Sequence, residues 1–245
     1  MLEAEVIKGF RYTIADIGAS CVVSYNRTGD ISKVLNILDR VSKHDFWQVR
    51  QAAAHFLRCF QGGHKFLFSM KQTKRTTKIV TRMLADERRE VSTAAMSALT
   101  GILAATTLDI KIKFVEKHLK KANRSVPKKR RNITSIATTD FDEATQMKEK
   151  ERLEQQQLSV FFLCAAVLAE PYGLPPIYVP KALAAISKHS FERVAPLGVR
   201  ETVKFCCSEF KRTHMSDNWE VHRQQFTQEQ LEALDDVISS AHYYA

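Results

Sequence analysis

The chain has 245 residues and a formal net charge of +10, from 37 Lys and Arg against 27 Asp and Glu. Apolar residues make up 44%, enough for a substantial core, and the length allows one large domain or a short repeat array. Only 8 Gly and 6 Pro occur and long Val/Thr/Tyr alternations are absent, which favours helices over strands.

Residues 2–25 read as a helix with Val6, Phe10, Ile14, Ile17 and Cys21 on one face. Asn26-Arg27-Thr28-Gly29 reads as a turn, with Asp30 as the N-cap of the next helix. Residues 30–42 carry Ile31, Val34, Leu35, Leu38 and Val41 at amphipathic spacing. After His44-Asp45-Phe46, residues 47–59 form the next helix, with Val49, Ala52, Ala53, Phe56, Leu57 and Phe60 inward. Asp45 followed by Val49-Arg50 has the pattern of a HEAT repeat's second helix: the Asp caps, the Val packs, and the Arg runs along the row of turns.

The pattern returns over residues 73–84, with Thr77, Val80, Met83 and Leu84. Asp86 then precedes Val91, Ala94, Ala95, Ala98, Leu99 and Ile102. Val49 and Val91 are 42 residues apart, a spacing usual for HEAT and armadillo arrays. Ser92 stands where an Arg would complete the second repeat.

A third repeat begins with Ile110, Phe114, Val115, His118 and Leu119. Residues 123–150 are basic, then Thr/Ser-rich, then acidic, and read as a disordered insertion. Periodicity resumes over 153–169 with Leu158, Phe161, Phe162, Cys164, Ala165 and Leu168. One period beyond Val91 falls near 133, and the excess to the equivalent Val160 matches the insertion. Glu170-Pro171-Tyr172-Gly173 stops that helix; residues 179–187 and 199–210 form a fourth pair, the latter with Val199, Val203, Phe205, Cys206 and Phe210 inward. The expected organisation is therefore helical repeats over 1–122, an insertion over 123–150 and a second helical domain over 151–245. The fold class is all-α: a HEAT/armadillo-like α-solenoid of about four helical pairs with a C-terminal capping helix.

That cap opens with a short helix from Trp219 to Gln225 and a capping box, Thr227 with Gln230, flanked by Phe226 and Leu231. The helix runs to about Ile238, and Ser239-Ser240-Ala241-His242 forms a leash to Tyr243-Tyr244-Ala245. A carboxylate preceded by two phenols makes a small plug: the charge pairs with a Lys, Tyr244 stacks and donates, and Tyr243 covers an apolar lip.

Lys111, Lys113, Lys117, Lys120, Lys121, Arg124, Lys128, Lys129, Arg130 and Arg131 stand against Glu116 alone, so the excess charge is local and implies a local partner. Val126-Pro127 followed by Lys128-Lys129-Arg130-Arg131 fits a nuclear localisation signal. Direct contact with DNA or RNA is the weaker reading of this block; no aromatic is interleaved to stack single strands. The five cysteines, Cys21, Cys59, Cys164, Cys206 and Cys207, show no CxxC spacing and read as reduced, buried thiols, with one of Cys206 and Cys207 half-exposed. No Cys/His spacing suits zinc, no cofactor motif is present, and the apolar runs are too short to cross a membrane. His44-Asp45, and Asp217 with His222, have no nucleophile beside them, so no catalytic residue is assigned.

The run from Cys207 to His214, then Asp217-Asn218-Trp219, Gln225-Phe226-Thr227 and Tyr243-Tyr244-Ala245, resembles the C-terminal end of the large HEAT-repeat proteasome activators of the subunit 4 type. The resemblance is most specific over 151–245. It implies a non-enzymatic, ATP-independent activator that docks its tail between α-subunits of the 20S core particle and promotes gate opening. In that mechanism Ala245 pairs its carboxylate with a pocket Lys, Tyr244 presses on the turn beside the gate, and Tyr243 fills the apolar rim. Nuclear and cytoplasmic placement and a link to DNA repair come with it. Some relatives are assigned acetyl-lysine reading, which would make acetylated histones a partner; here the nearby Asn123 and Asn132 fall in the basic loop. The alternative is a nuclear HEAT-type adaptor that binds histones or nucleic acid through residues 111–131.

Overall fold

A computed structural model describes residues 28–64, 66–126 and 143–239. Every regular element among them is helical. The chain divides into two compact units, Met1–Leu108 and Asp109–Ala245.

The first unit holds α1 (Thr28–Val41), α2 (Trp47–His64), α3 (Met70–Met83) and α4 (Arg89–Ala104). Helix α1 packs on α3 and α2 packs on α4, so successive pairs stack layer on layer. The α2–α4 seam is rich in alanine: Ala52, Ala53 and Ala54 lie buried on one helix, and Ala94, Ala95 and Ala98 on the other. Small side chains bring the axes close, and Phe56, Leu57, Phe60, Leu99 and Ile102 fill the remaining volume.

Arg50 ties the two repeats together. Its Nε and Nη2 donate to the carboxylate of Asp86 at 2.6 and 2.8 Å. Its Nη1 donates to the carbonyls of His44 and Asp45 at 2.8 and 2.9 Å. The expected row of turns is therefore present, but Asp45 takes part through its backbone oxygen. The Phe46 N–H at the start of α2 goes instead to His44 Nδ1 at 3.1 Å, an acceptor the short turn brings within reach. Arg82 makes a second tie, to Asp39 at 3.1 Å.

Several boundaries differ from the sequence reading. Helix α1 starts at Thr28, which puts Asp30 in its first turn. Helix α2 runs on to His64. Helix α3 starts at Met70, because Ser69 and Gln72 form a reciprocal capping box at 3.3 and 2.8 Å ahead of the apolar pattern. Cys59, expected buried, is exposed on α2.

The second unit holds α5 (Leu108–Ser125), α6 (Glu143–Leu168), α7 (Tyr178–Ser187), α8 (Leu197–Asp217), α9 (Trp219–His222), a 3-10 turn (Arg223–Gln225) and α10 (Gln228–Ser239). Helix α6 is its axis: every residue from 160 to 167 is buried, with α7 and α8 packed around it. Helix α5 docks through the His118 ring, stacked on Phe162 at 3.9 Å, with Phe114 edge-on to the same ring at 6.4 Å. Gly173 takes φ +77° in the loop after α6, a turn open to glycine, and its N–H donates to Asp217 at 3.0 Å.

Residues 143–150, expected in the insertion, are the first turns of α6. They lack an apolar face, so periodicity cannot find them; Glu and Lys are good helix formers, and Arg152–Glu149 pairs at one-turn spacing. Helix α5 likewise runs past residue 122 to Ser125. The predicted helix over 2–25 and residues 127–142 lie outside the described residues. Phe205, expected inward, is exposed: the buried positions Val199, Val203, Cys206, Cys207 and Phe210 define the opposite face. Cys206 and Cys207 are both fully buried, because α8 is covered by α6 on one side and by α7 and α10 on others. HEAT-like pairs thus recur in both units, and the repeat valines Val49, Val91, Val160 and Val199 are all buried.

Replacing Arg50 by Ala leaves Asp86, only 9% exposed, without its cation and is expected to cost about 2–4 kcal/mol in urea unfolding. Arg50→Lys recovers only part of that, since an ammonium cannot serve two carboxylate oxygens and two carbonyls at once.

Candidate functional site

The predicted tail residues Tyr243, Tyr244 and Ala245, and the basic residues Lys128, Lys129, Arg130 and Arg131, lie outside the described residues. What the structure describes is the platform that carries the chain end. Helix α10 begins with the expected capping box: the Thr227 N–H donates to Gln230 Oε1 at 3.0 Å, and the Gln230 N–H to Thr227 Oγ1 at 3.4 Å. It packs on α7 and α8 and buries Leu234 and Val237. Lys211 on α8 clamps it, reaching Asp235 at 2.9 Å while its ammonium sits 4.4 Å from the centre of the Trp219 ring.

Under the turn that leads into α10 lies a nest of rings. Phe210 stacks on His214 at 4.0 Å and meets Phe226 at 5.9 Å; Trp219 meets Phe226 at 6.1 Å. His214 and His222 meet edge to face at 5.1 Å. A carbonyl only accepts, so the 3.0 Å contact with the Phe210 oxygen puts the proton on His214 Nδ1. Buried Nε2 is then a bare acceptor without a hydrogen-bond partner among the described residues. The Nε2 of His222 faces Asp217 at 3.5 Å, the pair noted in the sequence. No nucleophile accompanies it, and among the described residues no three His, Cys, Asp or Glu side chains could hold a metal. Burial pushes the Cys206 and Cys207 thiols well up, so neither supplies a thiolate.

Two further imidazoles are built into the unit. His189 donates from Nε2 to the Ala122 carbonyl at 3.1 Å and accepts at Nδ1 from Gln156 at 2.9 Å; Gln156 also donates to Val194 at 2.8 Å. Burial, followed by Lys121 and Lys117, holds His118 down to about 3. Burial holds His189 down to about 4, opposed by the Ala122 carbonyl and reinforced by Lys188 and Arg152. Burial also lowers His214.

The basic block of the sequence divides. Lys111 is buried on the inner face of α5 and pairs with Glu170 at 2.5 Å, which also accepts from Tyr178 at 2.7 Å. It is withdrawn from any outside partner. Glu170 lies 59 positions from Lys111 and Tyr178 eight beyond it, and neither carries a sequence signal. Asn123 is on α5, not in a loop, and accepts from Lys188 at 3.1 Å at the surface.

Neutral buried imidazoles set the pH response. The folded values lie below the unfolded 6.5, so stability is complete above about pH 6.5 and is lost as pH falls toward 4 and 3. By linkage His118 and His189 are each worth at most roughly 3–5 kcal/mol across that window. Chemical unfolding of the second unit at pH 7.5 and 5 is expected to show the midpoint falling, and His118→Phe is expected to flatten the dependence.

Residues 153–245 match the family described as "Proteasome activator complex subunit 4-like, C-terminal". The chain is 32% identical over 219 residues to proteasome activator complex subunit 4A of Danio rerio. It is 31% identical over 216 residues to proteasome activator complex subunit 4 of Homo sapiens, and 27% over 215 residues to proteasome activator subunit 4 of Arabidopsis thaliana. These alignments take in 86–88% of this chain and 11% of each relative.

Proposed function

We propose that this chain, whose residues 153–245 match the proteasome activator complex subunit 4-like C-terminal family, docks Tyr243-Tyr244-Ala245 into an α-ring pocket of the 20S core particle. The family match, which runs through those three residues, is the observation that carries the reading. The mechanism is differential binding. The Ala245 carboxylate pairs with a Lys of the pocket, Tyr244 presses on the turn beside the gate, and Tyr243 fills the apolar rim. The gate opens only to the extent that the tail fits the open arrangement better than the closed one. No nucleotide and no bond cleavage by this chain are involved.

The platform supports the reading in two ways. Helix α10 is capped, clamped and buried up to Val237, which leaves a short reach to the tail. Its outer face exposes Glu229, Glu232, Asp235 and Asp236 and no cation, so the approach favours a basic socket. One tail of this kind gives ~3–6 kcal/mol, or millimolar to tens of micromolar affinity. The chain spans about a tenth of the length of its relatives, and a larger surface would raise the effective concentration of the tail. Action in nucleus and cytoplasm is part of the same proposal.

The test is co-sedimentation with 20S particles together with peptidase stimulation. Removal of residues 243–245, or Tyr244→Ala, is expected to lower both about tenfold or more, with the helical circular dichroism unchanged. Equal binding and stimulation by the truncated chain would refute the proposal.

A further inference from the structure

We infer that the outer face of α5 is a docking surface for the phosphate backbone of double-stranded nucleic acid. Helix α5 carries two stripes with the same spacing. Lys111, Val115, His118 and Ala122 are buried against the unit, and Lys113, Lys117, Lys120 and Arg124, two positions further on, are exposed. Among the described residues none of these four cations has a carboxylate partner. Lys188, itself exposed, is pinned beside their C-terminal end by its bond to Asn123 at 3.1 Å and adds a fifth charge. Asp109, one turn before Lys113, and Glu116 are exposed on the same helix and reduce the field without dividing the stripe.

The exposed faces of α6 and α8 mix their signs. Arg152 pairs with Glu149 on α6 and Arg212 with Glu209 on α8, each within one turn. A merely solvated face looks like those; the outer face of α5 does not. Its spacing also suits a regular polyanion. From Lys113 to Arg124 the helix rises about 16 Å, and a strand of B-DNA presents a phosphate per ~3.4 Å of axis, so four cations face roughly five phosphates. The stripe has no exposed aromatic for stacking single strands, and its Asn123 amide oxygen is already engaged by Lys188, so contact is to backbone and indifferent to sequence.

The experiment is fluorescence polarisation of the 245-residue chain with labelled duplexes of about 20 base pairs and two unrelated sequences, from about 50 to 200 mM salt. Equal binding to both duplexes is expected, with a log–log salt slope near −0.9 for each cation engaged. K113A/K117A/K120A/R124A keeps helix-forming residues throughout and is expected to lower affinity at least about tenfold and the slope by roughly 3. K113R/K117R/K120R is expected to restore both, which separates charge from folding. Unchanged slope and affinity in the alanine variant would overturn the inference. So would polyglutamate displacing the duplex at lower charge concentration than unlabelled duplex does, since the face would then fit an acidic protein. Tail docking is tested on a different particle with different residues, and either reading survives the failure of the other.

Discussion

The last described helix, α10, has only two buried side chains, Leu234 and Val237, with which to hold its place. A helix of this length is marginal alone in water, and two apolar side chains give a modest grip. Its position therefore depends on everything that supplements them. The Thr227–Gln230 box satisfies donors at its start, and Lys211 holds Asp235 against the unfavourable C-terminal end of the helix dipole. The ring nest of Phe210, His214, His222 and Phe226 fixes the turn that feeds it.

The same economy explains the rest of the second unit. Helix α6 is buried on all sides over residues 160–167, so it cannot shift without disturbing α7 and α8. Several polar groups closed in around it are matched, Lys111 with Glu170 and Tyr178 and His189 with Gln156 and Ala122, while among the described residues the Ser159 hydroxyl and Gln156 Oε1 have no hydrogen-bond partner. Charge that remains outside is segregated. The outer face of α5 is basic and the outer face of α10 is acidic, so one unit carries two surfaces of opposite sign.

Much of this was legible in the residues. The valine spacing located the helical pairs, because a buried position recurs once per repeat whatever lies between. Val49-Arg50 after a turn Asp located the row of turns, and Thr227-x-x-Gln230 located the last helix. The failures share a cause. The capping box at Ser69 and Gln72 precedes any apolar pattern, and residues 143–150 are helical with no apolar face, so hydrophobic spacing is blind to both. Phe205 and Cys59 are apolar residues on exposed flanks, where composition misleads and only the phase of the helix decides. The Lys111 network is long-range, and a lysine in a basic run gives no sign that it alone turns inward. The tail at 243–245 was read from its residue types and from the resemblance, and it lies outside the described residues.

The account rests on α10 being one cooperative piece with α8. Native-state hydrogen exchange measures that directly. The amides around Leu234 and Val237 are expected to open with the same free energy and denaturant dependence as those around Cys206 and Phe210. If the α10 amides exchange as an independently fraying segment while those of α8 stay protected, the chain end has no fixed platform and the account is wrong.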